Sequence, residues 1–350
     1  MSFPKMKLGE CAEIHSGSTP RTHNPDFWDG DITWVTPKDL SKLKSKFISK
    51  TESKITQLGF DSCSTKLLPE NSVLFSSRAP IGHVAINTIP MCTNQGFKSF
   101  VPKADLLDSQ YLYYWLKANK EYLQDLGVGA TFKEISKTVI ANVEIPLPPL
   151  SEQRRIASIL DQADELRQKR QQAIEKLDQL LQATFIDMFG DPEKNPKKWN
   201  KVVLGDICDQ KDRVNYGVVQ PGNEFEGGVP LIRVGDIDGG ILSFHLIKRI
   251  DPEIEKDYSR SRIKGNEVLV SCVGSIGTIA KVPNEAIGFN IARAITRVPL
   301  QDKRIINFVA ECLKTEAIQN YFKKNTRTVS QPTLNVSFVK ETEIIFPNEE

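Results

Sequence analysis

The sequence predicts an α+β chain: two homologous mixed α/β domains separated by one long coiled-coil helix. Three observations carry this reading. Blocks of the first half recur in the second at a nearly constant offset, the stretch between the copies has the apolar spacing of a long helix, and each copy mixes strand-like alternation with amphipathic helical segments. The expected boundaries are 1–149, 150–190 and 191–350.

The repeat comes first in the chain. "KLGEC" (Lys7 to Cys11) answers "VLGDIC" (Val203 to Cys208), and "WVTPKDL" (Trp34 to Leu40) answers "LIRVGDI" (Leu231 to Ile237), at an offset of about 196 residues. "LLPENSVLFSSRAPIGHVAI" (Leu67 to Ile86) matches "RIKGNEVLVSCVGSIGTIAK" (Arg262 to Lys281) in register at an offset of 195. "TNQGF" (Thr93 to Phe97) is set against "FNIAR" (Phe289 to Arg293), "YWLKANKEYLQ" against "ECLKTEAIQNYF", and "NVEIPLP" against "ETEIIFP". The period is far too long for a solenoid, so a domain of about 150 residues has been duplicated.

Between the copies lies "PPLSEQRRIASILDQADELRQKRQQAIEKLDQLLQATFIDMFGDP". With Ile156 at heptad position a, the a and d places are Ile156, Ile159, Ala163, Leu166, Arg170, Ala173, Leu177, Leu180 and Thr184; Leu160, Ile174, Leu181 and Met188 widen the stripe. Ser151 is the expected N-cap, and Gly190 followed by Asp191 and Pro192 is the stop. From Ser151 to Phe189 such a helix spans roughly 58 Å at 1.5 Å per residue. Its apolar face requires a partner.

Within each copy, "NSVLFSS" and "NEVLVSC" read as strands leading into the turns around Gly82 and Gly277, with Ile81 and Ile276 in the core. "DSQYLYYWLKANKEYLQDLG" and "DKRIINFVAECLKTEAIQNYF" read as amphipathic helices. Helical spacing assigns the aromatics Tyr111, Tyr113, Tyr114, Trp115 and Tyr122 to core packing rather than base stacking.

Composition narrows the function. Lys and Arg total 46 against 44 Asp and Glu, a net charge of +2, so the chain is no uniformly basic DNA coat or membrane-surface binder, and any nucleic-acid surface is local. Six scattered cysteines without CxxC spacing and four isolated histidines argue against a zinc site or a disulfide framework. Without a signal peptide or a membrane span, the expectation is a soluble, cytoplasmic protein. There is no G-x-x-x-x-G-K-[ST] loop, no Asn/Asp-Pro-Pro-aromatic tetrapeptide and no HxxxH cluster. "GSIG" (Gly274 to Gly277) is followed by a strand-like run rather than the helix a phosphate loop needs. The chain is therefore expected to be noncatalytic and to bind no cofactor itself.

Two divergent copies with "LxGD/E" near the start, a strand into "S-x-x-x-(P/S)-I-G", and "IPLPPLSEQRRIASILD" opening a long helix resemble the specificity subunit of type I restriction–modification enzymes. The resemblance covers essentially the whole chain. It implies that each copy is a target-recognition domain reading half of a bipartite, asymmetric site in double-stranded DNA, and that the helix sets the spacer and docks partners. It also implies modification subunits that flip and methylate adenine with S-adenosylmethionine, and restriction subunits that use ATP and Mg. The docking face is assigned to Ile156, Ile159, Leu160, Leu166, Ile174, Leu177, Leu180 and Leu181. The family pattern has a second long helix after the second copy, and "IIFPNEE" stops at the position equivalent to "IPLPPLSEQ". A truncated sequence is preferred over a short form; a short form would self-associate through its central helix.

Phosphate contacts fix register and base-edge contacts carry sequence. For phosphate, the candidates are Lys38, Lys42, Lys44 and Lys46, from a run of six lysines between Lys38 and Lys54 opposed only by Asp39 and Glu52, with Arg260, Arg262 and Lys264 as the counterpart in the second copy. The amides of Asn94 and Gln95 suit adenine, while Arg233 and Arg293 suit guanine. The resemblance implies that the Gly-rich segment "GVGATFKEIS" and its partner "NTRTVSQPTLN" present a loop towards DNA, which adds Thr131, Lys133, Arg327 and Gln331; Arg78, at a turn where the copies disagree, completes the set. A duplicated protein-interaction scaffold dimerising through its coiled coil is the alternative, and the DNA-binding module of a fused single-chain restriction enzyme is a third reading.

Overall fold

The structure, a computed structural model of the 350-residue chain, describes residues 3–78, 80–129, 133–327 and 331–347. The chain divides into two compact units inside its long helix, between Gln171 and Gln172.

In the first unit, Lys5–Lys7 runs antiparallel to Glu144–Pro146, joining the beginning of the repeat to its end. A five-stranded sheet has the order Ala12–Ser16, Lys98–Pro102, Val73–Phe75, Val84–Asn87, Phe47–Ile48. A three-stranded sheet places Trp28–Val35 between Ser53–Ile55 and Cys92–Thr93, the last pairing in parallel through Trp34 and Cys92. Helix Ser109–Ala118, capped by Asp108, buries Tyr111, Leu112, Tyr113 and Leu116 against Val73, Phe75 and Phe100. Tyr122 departs from the expected core cluster: its side of the next helix, Lys120–Asp125, faces out, and it is half exposed.

The second unit repeats this plan. Asn200–Val203 pairs with Glu343–Phe346, and a four-stranded sheet runs Asn215–Tyr216, Ile295–Pro299, Glu267–Ser271, Ile279–Lys281. Val229–Ile232 lies between Lys248–Ile250 and, in parallel, Asn290–Ile291. The segments expected as single helices near each copy's end break in two, at Asn119 in the first unit and at Thr315 in the second. Thr315 is extended, and its hydroxyl donates to the Cys312 carbonyl.

The ladders set the true correspondence between copies. Val73 opposite Ile86 and Val268 opposite Lys281 keep the 195-residue offset expected there. Farther on the expected register is two residues out: Trp34 pairs with Cys92 and Leu231 with Asn290, so Thr93–Phe97 corresponds to residues 291–295, not 289–293. The misleading signal was a shared asparagine. Asn94 stands in a turn, where its Oδ1 accepts from the Gly96 amide, whereas Asn290 is a fully buried strand residue bonded to Glu255 and Ser261.

The repeated "S…IG" stretch is a serine-closed turn. Ser76 Oγ donates to the Pro80 carbonyl and accepts from the His83 amide; Ser271 does the same with Ser275 and Thr278. Gly82 and Gly277 take φ of +104° and +81°, which a side chain would oppose. Ile81 is buried and Ile276 packs on the second core.

The long helix is Leu150–Phe189. It begins one residue before the expected cap, so Ser151 lies in the first turn, where the Glu152 and Gln153 amides reach the Pro149 carbonyl. Gln153 explains the "PPLSEQ" signature. Fully buried, it donates from Nε2 to the carbonyls of Leu106 and Pro148, both at 2.8 Å, and accepts the Asp108 amide at 2.9 Å. Gln153→Leu strands those three backbone groups and is expected to cost about 1–3 kcal/mol, read as a lower denaturation midpoint. An unchanged midpoint would mean the helix start does not depend on this anchor.

Candidate nucleic-acid interface

Four backbone segments converge at one end of each unit. In the first unit the base of the segment after Gly127 is closed by reciprocal hydrogen bonds between Val128 and Glu134, and the Ile135 amide donates to the Ser77 carbonyl at 3.0 Å. In the second, Arg327 and Thr333 make the same pair of bonds and Leu334 donates to Cys272 at 2.8 Å. Ser18 N reaches Thr93 O, and Val218 N reaches Ile291 O, bringing in the third and fourth segments.

This crossing depends on two glycines that sequence comparison passed over. A Cβ on Gly17 would lie 1.9 Å from the Asn94 carbonyl oxygen, and one on Gly217 would lie 1.7 Å from that of Ile291. Only glycine permits that approach. The matching signal was present as a lone Gly at equivalent places in both copies, hidden by an offset of 200 rather than 196.

In the second unit the convergence forms an open cleft of ≈ 460 Å³ whose lining includes Tyr216, Val219, Val273, Arg293, Arg327 and Thr333. Arg293 and Arg327 are exposed and have no carboxylate partner among the described residues. By the corrected register Arg293 occupies the place of Gln95, so two predicted base readers become equivalent positions. Gln95 is exposed and its Oε1 accepts the Thr19 hydroxyl; Arg78, Lys133 and Gln331 are also exposed at these segments. Arg78 bridges to Glu134 through the backbone. Beneath them Lys98, 8% exposed, holds Glu134 at 3.2 Å. Thr131 lies outside the described residues.

Other predicted residues are committed elsewhere. Lys46 is withdrawn from the expected rim: its side chain is 15% exposed and its ammonium is taken by Asp161 and Gln110. Lys38 and Lys42 are exposed but share Glu52, and the hydrogen bonds from Lys42 and Lys38 hold that carboxyl below its usual range. Lys44 is exposed without a charged partner among the described residues. These lysines do not share a helix, which ends at Ser41. Arg262 grips the buried Glu255, and Arg233 chelates Asp236 at 3.0 and 3.1 Å, so neither guanidinium is aimed into the cleft. Arg233 serves instead with Asp236 to start a helical turn, as Thr36 does with Asp39; this is why the repeated blocks share an aspartate. Asn94 caps its turn through the bond to Gly96. Arg260 is exposed beside the cleft strand Asn215–Tyr216.

Burial pushes the thiol of Cys272, at the cleft floor, up to about 11 and those of Cys208 and Cys312 up to about 12, so they stay protonated near neutrality. Among the described residues no group of three His, Cys, Asp or Glu could hold a metal, and no helix is long and apolar enough to cross a membrane.

Two copies of one α/β frame, each presenting variable side chains from fixed loops, define a duplicated recognition protein. The model of the type I restriction modification DNA specificity domain matches residues 2–176 and 196–350. The chain belongs to that family: it is a type I restriction–modification specificity subunit whose domains recognise DNA sequence. It is 32% identical to the type I restriction enzyme MjaIX specificity subunit of Methanocaldococcus jannaschii, over 97% of this chain and 82% of that protein. To the EcoBI specificity subunit of Escherichia coli it is 28% identical, over 74% of this chain and 60% of that protein. The crystal structure of the S subunit from M. genitalium shares the fold, with a TM-score of 0.50 and 16% identity over 99% of this chain and 84% of that one.

Proposed function

We propose that the two units read the two unlike halves of a bipartite target in double-stranded DNA. What supports this is the pattern of difference at equivalent loop positions: Gln95 against Arg293, Arg78 against Val273, and Thr19 against Val219 on a common backbone frame. An amide and a guanidinium favour different bases, adenine and guanine respectively, so the half-sites differ.

The chain carries no catalytic step in this reading. Ile156 packs into the first core, but Ile159, Leu160, Leu166, Ile174, Leu177, Leu180 and Leu181 stay between 38% and 63% exposed, an apolar stripe that modification subunits would cover. Those subunits would methylate adenine with S-adenosylmethionine, and restriction subunits would supply the ATP and Mg chemistry. Methylation mapping of the host genome, with and without the gene, tests the proposal. The expected result is a two-part asymmetric motif that disappears on deletion. A motif that persists, or one lacking two separated halves, overturns it.

A further inference from the structure

The second unit holds a buried charge network for which the first has no equivalent among the described residues. Arg297 is fully buried. Its Nη1 donates to Glu267 at 2.8 Å and to the Arg262 carbonyl at 3.1 Å; its Nη2 donates to Asp212 and, at 3.0 Å, to the Arg260 carbonyl. Lys264 takes the other Asp212 oxygen at 2.8 Å. Glu267 also accepts the amides of Lys264, Gly265 and Asn266. Two cations and two carboxylates thus cancel inside the network. In the first unit the ladder position of Arg297 is held by Ser99.

The network fixes backbone whose exposed side chains it does not neutralise. Asn215, paired with Arg297 across the ladder, donates from Nδ2 to the carbonyls of both Arg213 (2.9 Å) and Arg260 (3.1 Å). The main chains of those two arginines are therefore tied to one amide. Both side chains are exposed, and neither has a carboxylate partner among the described residues, since Asp212 and Glu267 are already occupied. The next residue along the strand, Tyr216, lines the cleft.

We infer that Arg213 and Arg260 form a clamp for the DNA backbone, gripping phosphates beside the half-site read in the cleft, with Asn215 and Arg297 as its positioning residues. The inference rests on the proposed DNA-reading role. Phosphate is the anion that two exposed guanidinium groups, carried on main chain tied to one rigid base, would attract with charge-assisted hydrogen bonds. The clamp also gives the two half-sites unequal electrostatic grip, because Ser99 supplies no such base.

The test is the salt dependence of duplex binding by the full chain purified with its modification subunit. Arg213→Gln with Arg260→Gln should reduce the slope of log K against log salt by about 1.8, or 0.9 per lost phosphate contact. Affinity should fall equally for target and non-target duplexes, leaving the preference between them unchanged. Lys323→Gln with Lys324→Gln removes the same charge from an exposed helix end and should leave the slope as it was. An unchanged slope in the arginine variant, or an equal change in the lysine variant, overturns the clamp. Absence of any target preference in the unaltered complex would instead overturn the DNA-reading role itself.

Discussion

Replacing Arg297 with methionine is expected to lower the stability of the second unit by about 3–5 kcal/mol, the usual cost of leaving a buried charge uncompensated. Methionine fills much of the same space, so the loss is electrostatic rather than a cavity effect. Glu267 is fully buried and the Asp212 side chain is 8% exposed, leaving water little access to replace the guanidinium. The Arg262 carbonyl loses its side-chain donor as well, while the Arg260 carbonyl keeps only the Asn215 amide. For a unit of this size the melting temperature should drop by about 6–20 °C. Calorimetry of the full chain reads this directly; a shift of only a degree or two would mean the carboxylates find water or another donor.

Arg293→Ala combined with Arg327→Ala should abolish most of the discrimination contributed by the second unit. If each guanidinium contacts a base edge, about 1–3 kcal/mol is lost per contact, so about 2–6 kcal/mol together. Both side chains are exposed at the cleft, so the fold should tolerate their removal. Fluorescence anisotropy with target and non-target duplexes separates the roles: base readers lose affinity mainly for the target, whereas phosphate contacts lose it for both. Equal loss on both duplexes would reassign the two arginines to the backbone.

The duplication, the long helix and the hairpin turns were legible because each leaves a local, periodic mark. Gly82 and Gly277, for instance, sit in blocks without insertions. The functional end was less legible, since it is assembled from segments whose spacing differs between copies. Gly17 and Gly217 correspond at an offset of 200, and Asn94 and Asn290 invited a false match. Charge was the hardest to read. Glu52 is visible within the lysine run, but not that it takes both Lys38 and Lys42, and Asp161, 115 residues from Lys46 in sequence, leaves no local mark; those carboxylates decide which ammonium groups stay available. Arg213 follows an aspartate in sequence, yet Asp212 turns inward to Arg297 and leaves Arg213 without a carboxylate partner among the described residues.

The bonds that position the loops proposed to read DNA, Ile135 to Ser77 and Leu334 to Cys272, run from main chain to main chain. Side-chain identity at the loops is therefore largely uncoupled from loop placement. On the proposed function, substitutions there alter what is recognised at little thermodynamic cost, so a lineage would acquire new targets by drift at a few positions, each unit changing independently of the other.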